Sequence, residues 1–133
     1  MGTVSMGRAA TIAVVGAVVA NLAIYFVAKS TLAISADFAP LMNPRPTVFF
    51  TVIGVGGAAG VYSMLRRRGA EASSTFTRVA LLALLASFIP DAALLATGQP
   101  GATATSVGVL VAMHVIAAAI AIAVLTRVPG PSA

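Results

Sequence analysis

Four uninterrupted apolar blocks, separated by polar or turn-forming stretches, govern what this chain can fold into. The first runs from Ala9 to about Ala28, between Arg8 and Lys29. The second follows Pro44-Arg45-Pro46, runs from Thr47 to Leu65 and stops at Arg66-Arg67-Arg68. The third runs from Val79, just after Arg78, to Thr97, where the turn sequence Gly98-Gln99-Pro100-Gly101 begins. The fourth runs from Ala104 to Thr126 and is closed by Arg127 and Pro129-Gly130. An α-helix rises 1.5 Å per residue, so about 20 apolar residues cross a hydrocarbon core of roughly 30 Å. Each block has that length. Membrane strands instead alternate polar and apolar residues over about 10 positions, whereas these blocks are continuous and rich in Ala and Leu. The expected fold is therefore all-α, an integral membrane four-helix bundle forming one domain over 1–133, with spans at 9–28, 47–65, 79–97 and 104–126.

Composition closes the alternatives. Of 133 residues, 59% are hydrophobic and 8% charged, against about a quarter charged in an ordinary soluble domain. A mean hydropathy of +1.04 also excludes a disordered chain, which needs low hydrophobicity with high net charge. The absence of Cys removes disulfides, thiolate nucleophiles, iron–sulfur clusters and Cys-based zinc sites. What remains for ligation is His114 with Asp37, Glu71 and Asp91, scattered over segments that should face different compartments, so no metal is expected. The formal charge of +5 does not argue for nucleic acid, because the basic residues lie in short stretches between apolar runs with few aromatics for stacking.

Those basic residues orient the chain instead, since short cytoplasmic loops retain Lys and Arg. Arg8, Arg66, Arg67, Arg68, Arg78 and Arg127 fall on one side and only Lys29 and Arg45 on the other, which places both termini and the 66–78 loop in the cytoplasm of an inner-membrane, multi-pass protein. Val18-Val19-Ala20 offers a cleavage-like pattern in the first block. The apolar run exceeds the roughly 7 to 15 residues of a signal core, so a retained helix is expected.

In lipid, helices associate where small residues let backbones approach. The second block carries Gly54, Gly56, Gly57 and Gly60, and Gly56 with Gly60 makes a GxxxG pair. Packing inside the bundle is the expected use of that pair, with a homodimer face as the other reading. Polar side chains within spans are the remaining signal, because an ionisable group at the bilayer centre costs about 2.5–3.5 kcal/mol on insertion scales. Asp91 and His114 qualify. The tight connection makes their helices antiparallel neighbours, so a contact is feasible, and Asn21 and Thr51 fall at comparable depth, which predicts one polar layer drawn from all four helices. Pro90 adds a freed carbonyl at Ala86 beside the acid. A proton-handling site and a register-fixing polar contact are both compatible with this pattern.

No catalytic motif is present. The glycine cluster lies inside a span and cannot cradle a phosphate, and no GxSxG, HExxH or P-loop pattern occurs, so an enzyme is not expected. Met113 and His114 point about 100° apart on a helix and cannot clamp one iron from both sides, so no cofactor is expected either. The 30–46 segment should lie along the interface or cap the bundle, and Glu71 with Ser73 to Thr75 read as solvated loop. Arg66, Arg67 and Arg68 would attract anionic lipid headgroups at about 1 kcal/mol per charge near the surface.

Taken in order, the Pro-flanked entry at 44–47, the Arg-rich loop, Ser87-Phe88-Ile89-Pro90-Asp91 and Met113-His114 resemble a family of small bacterial four-helix membrane proteins of unknown function. The resemblance covers nearly the whole chain. It implies no activity, substrate or cofactor. The resulting expectation is a non-catalytic accessory or interaction subunit whose partners are the lipid bilayer and either another membrane protein or further copies of itself. A small transporter or proton-coupled sensor using Asp91 and His114 is the alternative.

Overall fold

The computed structural model of the protein describes residues 4–69 and 71–130. They form four helices, α1 (Met6–Thr31), α2 (Pro44–Arg68), α3 (Ala72–Ala96) and α4 (Ala104–Leu125), with a short 3₁₀ turn at Ala39–Leu41. All four are long and apolar enough to cross a membrane. Each of the three connections reverses the chain, and α1 packs against both α2 and α4 while α3 bridges α2 and α4.

Local chemistry sets the helix starts. Ser5 Oγ accepts from the Arg8 amide at the start of α1. At α2, Pro44 and Pro46 carry no N–H, which removes two of the donors that a first helical turn leaves unpaired, and Asn43 Oδ1 accepts from the amide of Arg45 between them. Thr103 and Ser106 form a reciprocal capping box at the head of α4.

Inside the bundle, α1 presents Ala9, Ala13, Ala17, Asn21, Tyr25 and Ala28, nearly one residue in every four, and these are its buried positions. Four small or slender residues of α2, Thr47, Thr51, Val55 and Ala59, followed by Tyr62, make the matching stripe. Small side chains on both helices allow close approach. Two packed cores result. Phe76, Tyr62 and Leu125 anchor the one at the Arg66 end, and Phe38, Leu41 and Tyr25 the one at the opposite end.

Three expectations need correction. Gly56 and Gly60 do not face another helix of the described bundle. Both are exposed, and among the described residues, the adjoining stretch of α2 aside, nothing lies within 4 Å of where a Cβ would stand on Gly54, Gly56, Gly57 or Gly60. The Thr47-to-Tyr62 stripe points inward, so the glycines on the remaining face point out. The third helix begins at Ala72, not at Val79, so Ser73 to Arg78 are helical and the connection shrinks to the few residues after Arg68. Burial explains this, since Ala72 and Phe76 are nearly inaccessible and the Phe76 ring lies 5.1 Å from that of Tyr62. Helices α1 and α2 run beyond their apolar blocks by three residues at each end, while α4 starts with its block and stops one residue short of its end.

Of the two possibilities for the long connection, capping prevails. Phe38 and Leu41 are fully enclosed between α1 and α4. The cap is pinned by Gly101, whose φ of +74° suits glycine and whose Cβ, if it had one, would stand 2.7 Å from the Phe38 nitrogen. Helix α3 is the least covered. In its most apolar stretch 6% of residues are buried, against 22% in each of the others, which leaves most of its surface for the surroundings.

Candidate functional site

The four polar residues picked out by the sequence are brought together as two pairs rather than one layer. Asn21 of α1 donates through Nδ2 to Thr51 Oγ1 of α2 at 3.0 Å. Both residues are buried, and the second polar atom of the amide, Asn21 Oδ1, is enclosed with no partner. Asp91 of α3 faces His114 of α4, with Nδ1 2.9 Å from Oδ2. This is the only ion-pair contact among the described residues. Its separation is that of a close pair, while the mutual direction falls short of hydrogen-bond alignment. No hydrogen bond joins one pair to the other among the described residues.

The α3–α4 pair is asymmetric. Asp91 is buried, whereas 42% of the His114 side-chain surface is open. Because Nδ1 is enclosed against Asp91, that opening belongs to the rest of the ring, including Nε2, which has no partner among the described residues. Pro90 sits inside α3 immediately before the acid. It cannot donate to the carbonyl of Ala86, one turn earlier. Such a pair can hold, share or pass a proton, and the histidine can meet a second group through Nε2.

Sequence reasoning missed the junction at the Arg66 end. Tyr62, wholly buried, donates to the Val128 carbonyl at 2.9 Å, so the hydroxyl of Ser73, 3.0 Å away, serves as donor to the Tyr62 oxygen. Arg66 donates from Nε and Nη2 to the Pro129 carbonyl. One of the three arginines expected to contact lipid is thus engaged with the chain that follows α4, while Arg67 and Arg68 are exposed. A lone Tyr near the polar end of an apolar block was the available signal, but its partners lie 11 and 66 residues away.

Two open apolar grooves flank the helices. One, of about 540 Å³, runs between the end of α1 and the start of α4 past Val27, Ala28, Gly108 and Ala112. The other, of about 570 Å³, lies between α1 and α2 along Leu22, Phe26, Val48 and Phe49, with Arg45 at its rim. Neither includes Asp91 or His114. Among the described residues no three His, Asp or Glu side chains converge to hold a metal ion.

Residues 2–130 match a family described as a family of unknown function, DUF6069. No curated protein and no solved structure matches the chain.

Proposed function

The chain belongs to DUF6069, a family of unknown function, and from its residues we propose that it is a four-span inner-membrane bundle with both termini cytoplasmic, acting as a non-catalytic interaction subunit. The observation that carries this reading is the outward glycine face of α2. Gly in a helix interior costs roughly 1 kcal/mol relative to Ala, and in lipid its use is to admit another backbone. Among the described residues nothing fills the space over Gly54, Gly56, Gly57 and Gly60. Phe49, Ile53 and Met64, on the same side of α2, are also open, so large apolar side chains and the glycines share one uncovered face.

Because the protein has no Cys, single introduced cysteines are clean probes. Gly57→Cys, crosslinked in native membranes, should attach a different membrane protein, and Gly56→Leu in that background should abolish the adduct. Detergent-solubilised Gly56→Leu should match the native chain in thermal stability, since its side chain meets open space. An adduct with its own copies alone, or none, overturns the interaction-subunit reading. Orientation is tested in intact cells with a membrane-impermeant thiol reagent. Ala36→Cys should be labelled and Ser74→Cys protected; the reverse pattern inverts the topology.

A second reading rests on the Asp91–His114 contact. A half-open histidine backed by a buried acid is the kind of centre that a small transporter or proton-coupled sensor uses. Reconstituted alone, the protein would then move or bind protons, and Asp91→Asn would fold yet lose the signal.

A further inference from the structure

His114 is the eleventh of the 22 residues of α4, which puts it about 15 Å from either end of the helix. With the helix across a bilayer, as proposed above, that is the hydrocarbon midplane. The ring is half open there, with Nδ1 enclosed against Asp91 and the outward edge bearing Nε2. A medium of low dielectric favours an electroneutral pair. If Asp91 keeps the proton on Oδ2, facing Nδ1, neutral histidine carries its own proton on Nε2. If the proton crosses to the ring, both nitrogens are protonated. The remaining neutral arrangement, Nδ1–H toward Oδ2 with the acid proton on Oδ1, turns the acid proton away from the ring and leaves Nε2 bare. In either of the first two arrangements the pair aims an N–H donor out of the bundle at mid-bilayer depth.

An unpaired donor in hydrocarbon wants an acceptor. Lipid ester carbonyls lie in the interfacial region outside the 30 Å core, roughly 15 Å from this level. Backbone carbonyls of a neighbouring helix are already used within that helix. What fits is a small, lipid-soluble molecule with a bare carbonyl and no donor of its own. We propose that His114 Nε2, held by Asp91, is a docking point for the carbonyl of a lipid-soluble quinone. The site depends on the membrane placement proposed above and not on the partner helix at α2.

With a single His in the chain, ¹⁵N labelling of histidine gives one unambiguous imidazole. In lipid nanodiscs, Nε2 of the native protein should show a bonded proton. A decyl-tailed benzoquinone should move the Nε2 resonance saturably. The dimethyl ether of the corresponding hydroquinone, equal in size and lipophilicity but without a carbonyl, should not. His114→Phe preserves the ring volume and removes the donor, and discs carrying it should hold the quinone about three- to tenfold more weakly than discs with the native chain, the range for one hydrogen bond. A bare Nε2, an equal response to the ether, or unchanged retention by His114→Phe overturns the quinone site while leaving the membrane bundle standing. If His114→Phe does not fold, the titration of the native chain decides alone. A chain that does not enter the discs overturns the membrane placement and the site with it.

Discussion

The two polar pairs are built from opposite materials. Asn21 and Thr51 are neutral, buried on both sides and joined by an ordinary hydrogen bond in the seam between α1 and α2. Asp91 and His114 are ionisable, sit where α3 is thinly covered and leave one partner half open. A neutral, sealed hydrogen bond can only fix register. An ionisable pair with an open edge can also interact with something outside. The difference comes from the helices that carry them: alanines along α1 seal its seam, whereas the buried residues of α3 are Ala72, Phe76 and Asp91 alone.

That contrast can be tested in reversible unfolding from bicelles. The largest effect is expected for the cycle Asp91→Ala with His114→Ala, where the coupling energy should be about 1.5 kcal/mol, near the upper end of intramembrane contacts and typical of charged hydrogen-bonding groups. A value below about 0.3 kcal/mol would mean that the two side chains do not act on one another. The Asn21→Ala and Thr51→Ala cycle should give less, about 0.6 kcal/mol, the average for intramembrane hydrogen bonds. Should it exceed the Asp91–His114 value, the ionisable pair is the looser joint and the contrast reverses. The smallest effect is expected across the pairs: Asn21→Ala with Asp91→Ala should be additive within about 0.3 kcal/mol. Significant coupling there would restore a single layer spanning all four helices.

Tyr62 extends the comparison to the Arg66 end of the molecule. Tyr62→Phe removes the bond to the Val128 carbonyl and leaves a buried acceptor, which should cost about 1–2 kcal/mol in the same assay. A neutral result would mean that the chain after α4 is not secured by that hydroxyl.

Much of this architecture was legible in the sequence for a physical reason. Length and continuity of apolar residues are one-dimensional properties, and each of the four blocks carried enough of both to specify a helix. The capping residues Ser5, Asn43 and Thr103 act within three positions of themselves, so their chemistry is equally local. The start of α3 was not legible, because Ser73 to Thr75 read as solvated loop. The helix extends through them by burying Ala72 and Phe76 beside Tyr62.

The candidate site divides along the same line. Its residue types were visible, since Asp91 and His114 are charged or polar intrusions into apolar blocks and the 98–101 turn makes their helices neighbours. Which residues would pair was a question of rotation about each helix axis, and spacing alone leaves that angle free. Gly56 and Gly60 show the consequence. Their motif says that a backbone can approach closely, but the inward side of α2 was awarded to Thr47, Thr51, Val55, Ala59 and Tyr62, which meet the Ala9-to-Ala28 stripe of α1. The sequence by itself determined four apolar helices and the polar residues they carry, because those follow from local composition. Only the tertiary structure decided that the polar residues form two separate pairs, that one histidine edge is open and that the glycines face away, because each of these depends on how helices distant in sequence rotate to fill shared space.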